Sequence, residues 1–243
     1  HNEIEVRNKK NNLNFIVNGK IISSLEIQKF NKGYCGLLIG ADSKARIKYY
    51  YLNSNGDEKI LKTCPGDISQ TLWDAQVNYN NIEPVISSAL EGSKEWRKTD
   101  FNTRINLLKK FGEIAASRKE HIAEAIALET GKPLWESLTE AGAIAAKVNV
   151  TISDSLARIE TKTIKDILPH IDGHIIHKPL GPCLVIGPFN FPCHLANGQI
   201  LSALLGGNSI IFKPSEKTIY SSQLLIECLH EAGFPKGVVN FIN

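Results

Sequence analysis

The chain contains no methionine, no C-x-x-C pair and no G-x-G-x-x-G run, and neither sign of charge dominates it. Each absence excludes something. A chain that starts with His and has no Met does not begin at an initiator, so it is expected either to be a piece of a longer product or to have had its methionines lost or replaced, and its polar N-terminus shows no signal-peptide pattern. The five cysteines, Cys35, Cys64, Cys183, Cys193 and Cys228, are odd in number and widely spaced, which points to neither a disulfide framework nor a zinc site. They fit a reducing, cytoplasmic setting, and no metal is expected. With 28 basic and 25 acidic residues there is no basic footprint of the kind nucleic-acid binders carry. The missing glycine fingerprint removes the usual signature of a dinucleotide fold.

What is present suits a soluble chain with a sizeable core: 243 residues, 42% hydrophobic and 22% charged. From Pro179 to Phe212 the only ionisable groups are His194 and the thiols of Cys183 and Cys193. Such a length would cross a bilayer. However, Pro182, Pro188 and Pro192, together with Gly181, Gly187, Gly198, Gly206 and Gly207, cut the run into pieces of strand and helix length. The stretch is therefore read as the buried centre of an α/β sheet whose parallel strands are apolar on both faces, and no membrane partner is expected.

Four regions follow from the pattern. Residues 1–66 read as a solvated tail of about a dozen residues, then a hairpin from Leu13 to Ile22 turning at Asn18-Gly19. A second strand pair is expected about Asn55-Gly56, using Ile47 to Leu52 and Lys59 to Thr63, with Cys64-Pro65-Gly66 closing the region. Residues 67–156 read as helical: Ile105, Leu108, Phe111, Ile114 and Ala115 recur at helical spacing behind the capping candidates Asp100 and Thr103. Gly131 stops one helix, and Pro133 sits in the first turn of the next. Residues 157–180 read as an extended arm with Asp172-Gly173 at its turn. Residues 181–243 alternate strand and helix: Cys183 to Gly187, Ala196 to Leu205, Ser209 to Lys213, Ser221 to Ala232 and Val238 to Ile242. That order implies parallel crossover units, and a three-stranded parallel sheet leaves an apolar edge to be covered.

Crossover sheets bind ligands beyond the carboxyl ends of their strands, here the loops after Ile186 and Phe212. In the first, Gly187-Pro188-Phe189-Asn190-Phe191-Pro192, the neutral Asn190 amide can donate to an oxygen that becomes negative during reaction, or can simply cap the following helix. In the second, Lys213-Pro214-Ser215-Glu216, an ammonium and a carboxylate can grip ribose hydroxyls, or Ser215 can lead a local cap with the lysine in solvent.

Several strings here resemble those of the aldehyde dehydrogenase superfamily. They are Glu129-Thr130-Gly131-Lys132-Pro133, Lys178-Pro179-Leu180-Gly181-Pro182, Gly187-Pro188-Phe189-Asn190-Phe191-Pro192, Gly206-Gly207-Asn208, Lys213-Pro214-Ser215-Glu216, and the run from Ala232 to Asn240. The resemblance spans roughly Ile60 to Asn243. Within the superfamily, F-P-C-H-L-A-N-G after Asn190 is most similar to the branch acting on succinylglutamate-type semialdehydes. It implies an α/β fold: part of a parallel Rossmann-type sheet, a helical region before it, and a protruding hairpin arm over 157–180 that makes homo-oligomers. It also implies NAD as cofactor, with Ile186, Gly187, Pro188, Phe189 and Asn190 along it and Lys213, Ser215 and Glu216 at its adenosine ribose. A carboxylate at Glu216 disfavours a 2′-phosphate, so NADP is the lesser expectation. Asn190 matches the superfamily's oxyanion donor, and a small aldehyde is the implied substrate.

The resemblance also implies what the chain lacks. In the superfamily the nucleophilic Cys, the general-base Glu and the glycine-rich loop under the pyrophosphate come after the position matching Asn243, so these 243 residues alone are expected to be inactive. Cys193 could stand in as nucleophile because it lies near a helix N-terminus, or could be a buried structural thiol. Two competing readings are a non-catalytic module assembling through its arm and sheet edge, and an adenine-nucleotide binder without redox chemistry.

Overall fold

In the computed structural model, residues 2–9, 12–17, 20–26, 45–47, 59–76 and 79–242 are described. The chain divides into two compact units, 1–58 and 59–243. The first holds a four-stranded sheet in the order β3-β2-β1-β4, built from β1 (Asn2–Lys9), β2 (Asn12–Val17), β3 (Lys20–Glu26) and β4 (Ala45–Ile47). The expected solvated tail is instead strand β1, paired antiparallel with β2 from Ile4 opposite Val17 to Lys9 opposite Asn12. Its alternating Ile4 and Val6 carry the period-two signal that the flanking charges obscure. The β2–β3 hairpin is present, and its Asn18-Gly19 turn lies outside the described residues, as does the turn expected at Asn55-Gly56.

The second unit begins with β5 (Lys59–Cys64) and β6 (Asp67–Gln76), which pair with each other. Cys64-Pro65-Gly66 is thus part of a hairpin rather than the end of a region. Strand β5 pairs with β6 across a short turn, a partner whose closeness along the chain makes the loop cheap to close; the expected upstream strand from 48 to 52 lies outside the described residues. The segment expected to be helical from residue 67 starts with β6, and α1 (Ile82–Trp96) follows a short 3-10 turn at Tyr79–Asn81.

Helices α2 (Phe101–Ser117), α3 (Lys119–Thr130) and α4 (Leu134–Val150) then pack on one another. Asp100 caps α2, its carboxylate accepting from the Thr103 amide at 3.0 Å. Gly131 ends α3 in the left-handed region, φ 76°, where a side chain would be strained. Helix α4 continues through a π turn at Thr151–Ser155 into α5 (Leu156–Ile159). The arm therefore starts later than residue 157, as β7 (Lys162–Leu168) and β8 (Ile171–Ile175). Its turn falls at Pro169-His170, with His170 at φ 65°, and not at Asp172-Gly173. Asp172 is a strand residue, its carboxylate accepting from Lys165 Nζ at 2.5 Å and from the Asp166 amide at 3.2 Å.

After the arm, β9 (Cys183–Ile186), α6 (His194–Leu205), β10 (Ile210–Lys213), α7 (Ile219–Ala232) and β11 (Val239–Phe241) form the predicted crossover units. The sheet is parallel, in the order β11-β10-β9. Central β10 buries Ile210, Ile211 and Phe212. Edge strand β9 buries Val185 but leaves Leu184 and Ile186 63% and 62% exposed, so one of its faces is uncovered. Helix α1 lies against β10 and β11, α6 and α7 also pack on the sheet, and α2 to α4 pack on α6 and α7. The core they share includes Trp96, Leu108, Phe111, Ile126, Ile144, Leu201 and Phe212.

Buried charges fix the ends of the crossover helices. Glu129, 2% exposed, accepts from the Tyr220 and Ser221 amides of α7 at 2.9 and 2.8 Å and from Trp73 Nε1 at 2.6 Å. Glu140, 3% exposed, accepts from the Cys193 and His194 amides of α6 at 3.1 and 3.2 Å. At the opposite pole, the buried Arg104 guanidinium donates to the Leu205 carbonyl ending α6 and to the Trp96 and Arg97 carbonyls ending α1. Anions thus meet helix N-termini and a cation meets C-termini, each matching a macrodipole and satisfying orphan backbone groups. Replacing Glu129 by Ala leaves three donors without their acceptor. Glu129→Ala is expected to lower stability by about 3 kcal/mol or more, read as a lower urea midpoint with altered Trp73 fluorescence; an unchanged midpoint would contradict this account of α7.

Candidate active site

Two loops meet at the carboxyl end of the sheet because β9 and β10 are adjacent, parallel and in register, Ile186 opposite Lys213. The ladder runs one step past the strands, the Gly187 amide donating to the Lys213 carbonyl at 2.9 Å. Gly187 is buried, and a Cβ there would lie 2.8 Å from the Phe212 ring and 3.7 Å from the Ala196 methyl. The missing side chain admits the Phe212 ring, so this glycine serves the packing under the loop.

Beyond Gly187 the loop rises into solvent. Pro188 is half-buried, Phe189 is 52% exposed, Asn190 is exposed, and Pro192 is buried again. Helix α6 begins at His194, and its first amides are taken by Glu140, so Asn190 does not cap it. Among the described residues no hydrogen bond engages the Asn190 side chain, which leaves its amide free to donate.

The second loop presents Lys213 and Glu216 outward, both exposed. Lys213 Nζ donates to the Pro214 carbonyl at 2.5 Å. Ser215 Oγ accepts from the Lys217 amide at 3.3 Å and donates to Glu216 at 3.4 Å, so Ser215 shapes the turn while α7 starts only at Ile219. Between the loops, the Lys217 ammonium lies 4.8 Å from the Phe189 ring centre. The strand register and the Lys217–Phe189 contact set the two loops side by side, one carrying the free Asn190 amide with the exposed Ile186 and Phe189, the other the exposed Lys213 and Glu216. That combination fits a nucleoside portion: apolar surface for a base, and donors with an acceptor for ribose hydroxyls. Among the described residues the first amides of α6 and α7 are taken by Glu140 and Glu129, so neither helix N-terminus is open to a phosphate.

Cys193 is fully buried, its thiol 3.3 Å from the Ser221 carbonyl. Burial pushes this thiol well up, and the Glu140 and Glu129 carboxylates push the same way. A group so held is not a thiolate at neutral pH, so Cys193 is a structural thiol and not a nucleophile. Cys228 is likewise buried, its thiol pushed up to about 11 by desolvation. Sequence reasoning had no signal for Glu140, whose partners lie 53 and 54 residues away along the chain. Among the described residues no group of His, Cys, Asp or Glu side chains is placed to hold a metal ion, and no helix is long and apolar enough to cross a membrane.

The profile of the aldehyde dehydrogenase family matches residues 51–243. The chain is 40% identical over 185 residues to an N-succinylglutamate 5-semialdehyde dehydrogenase of Chromohalobacter salexigens, covering 76% of this chain and 37% of that protein. It thus spans little more than a third of the relative's length. Among solved structures, it superposes on an NADP-dependent glyceraldehyde-3-phosphate dehydrogenase from Bacillus halodurans complexed with NADP, with a TM-score of 0.71 and 28% identity, over 80% of this chain and 42% of that one. It also superposes on a 1-pyrroline-5-carboxylate dehydrogenase from Thermus with bound NAD, with a TM-score of 0.68 and 25% identity, over 79% of this chain and 37% of that one.

In the native protein at pH 8, iodoacetamide is expected to alkylate the half-buried Cys64 and Cys183 and to spare Cys193, which reacts only after denaturation. Peptide mass mapping checks this. Alkylation of native Cys193 at the rate of Cys64 would restore it as a nucleophile.

Proposed function

Because the chain belongs to the aldehyde dehydrogenase family, we propose that it forms the cofactor-binding portion of an enzyme that oxidises an aldehyde to a carboxylic acid with NAD. The observation that carries this reading is the free Asn190 amide on the loop after β9, next to the loop after β10 that exposes Lys213 and Glu216, the two strands being adjacent, parallel and in register. The substrate proposed is a semialdehyde of the succinylglutamate type, supported by the identity to enzymes of that name.

The residues present fit the adenosine end of a nicotinamide dinucleotide. Lys213 donates to ribose hydroxyl oxygens and Glu216 accepts from the hydroxyls, while Ile186, Gly187, Pro188 and Phe189 line the approach and Ser215 holds the turn. A second carboxylate-repelled charge, a 2′-phosphate, would face Glu216, which favours NAD over NADP. Bound dinucleotide supplies the hydride acceptor.

Asn190 acts at the aldehyde. When a thiolate adds to the carbonyl carbon, negative charge develops on the former carbonyl oxygen, and the Asn190 amide donates to it there. The thiolate and the base that activates water belong to the remainder of the enzyme, beyond this chain's counterpart in its relatives. These residues alone then bind without turning over. The arm exposes Ile164, Ile167, Leu168, Ile171 and Ile175, an apolar surface that supports assembly into a homo-oligomer.

In the full-length enzyme, Asn190→Ala is expected to lower kcat by about 10²–10³-fold, with NAD affinity held within about twofold. Steady-state NADH formation and NAD titration read the two separately. Wild-type turnover in that variant would remove Asn190 from the chemistry.

A further inference from the structure

Among the described residues nothing hydrogen-bonds the Asn190 side chain, so its direction depends on what holds the residues around it. Two aromatic rings flank it in sequence, and each carries an ammonium. Lys217 lies 4.8 Å from the Phe189 ring centre, and Lys132 lies 3.6 Å from that of Phe191. The two contacts differ in burial. Lys217 and Phe189 are exposed, whereas the Lys132 side chain is 14% exposed and also bonds the fully buried Glu140 carboxylate at 3.0 Å, with Glu136 at 3.6 Å. A cation over a ring is held more strongly where water is excluded.

Glu140 closes the arrangement. Its Oε2 accepts from Lys132, and its Oε1 accepts from the Cys193 and His194 amides. One ion pair therefore grips the loop on the Phe191 ring and on the backbone two residues beyond it. The Lys132 end is itself fixed, since Gly131 ends α3 in a left-handed turn and Pro133 leads into α4. From one stem the Lys132 ammonium meets two carboxylates and a ring face.

We propose that Lys132, through Glu140 and Phe191, is a positioning residue that aims the Asn190 amide; this rests on the oxyanion reading of Asn190. The pair touches neither substrate nor cofactor. Its effect appears in kcat and only through Asn190. A purely structural pair would alter turnover whether or not the Asn190 amide were present.

The test is a double-mutant cycle in the full-length enzyme. Lys132→Met is expected to lower kcat by about 10- to 100-fold at an unchanged NAD dissociation constant, and Lys132→Arg to restore part of it. In the Asn190→Ala background, Lys132→Met is expected to change kcat by less than about threefold. Equal losses in both backgrounds, or wild-type turnover in Lys132→Met, would overturn the positioning role. Wild-type turnover in Asn190→Ala would instead overturn the oxyanion reading and the proposal with it, so the two failures are distinguishable. Should Lys132→Met not fold, Phe191→Leu at the partly exposed ring serves in the same cycle: a loss confined to the Asn190 background supports the proposal, and additive losses overturn it.

Discussion

Two buried carboxylates, Glu129 and Glu140, hold the structure in register. Each belongs to the helical layer and each binds the first amides of a crossover helix, Glu129 on α7 and Glu140 on α6. A helix that follows a parallel strand points its N-terminus at the ligand end of the sheet, with unpaired amides and a positive partial charge. Most such sheets leave that end open for a phosphate. Here the protein satisfies it with its own side chains, so the helical layer and the sheet cannot slide past one another without breaking charge-assisted bonds. Arg104 performs the opposite duty at the C-termini of α6 and α1.

This choice shapes the site. With the helix ends closed, what the loops beyond the strand ends offer is Lys213 and Glu216 on one and the uncharged Asn190 amide on the other. The string Glu129-Thr130-Gly131-Lys132-Pro133 explains why scaffold and site are coupled. Glu129 caps α7, Gly131 ends α3, and Lys132 joins Glu140 beneath the Asn190 loop, so five consecutive residues tie both crossover helices to one turn. Among the described residues, the face of β9 with Leu184 and Ile186 and the arm are apolar surfaces left exposed.

Local signals in the sequence were legible. Asp100 with Thr103, Gly131, and the alternation of apolar strands and helices from Cys183 onward each depend on neighbours within a few residues, and each appears in the fold. The loops that carry Asn190, Lys213 and Glu216 could be placed for the same reason. Where partners are distant, or where alternatives are energetically close, the reading failed. Strand β1 reads as a tail because its charges mask its alternation. The arm's turn was set at Asp172-Gly173, although an aspartate that binds Lys165 belongs in the strand. Glu129 and Glu140 were unreadable as caps because their partners lie 91 and 53 residues away. Cys193 looked reactive from its place at a helix start, yet that start is already occupied by a carboxylate, which raises the thiol further.

Under the function proposed above, this chain holds the ribose end of a dinucleotide while its own carboxylates deny the phosphates a helix terminus. Calorimetric titration of the 243-residue protein with adenosine and with NAD separates the two contributions. Both are expected to bind, with affinities within about tenfold of each other, because the pyrophosphate gains nothing here. NAD binding more than about a hundredfold tighter than adenosine would contradict this, since a phosphate grip would then exist within these residues.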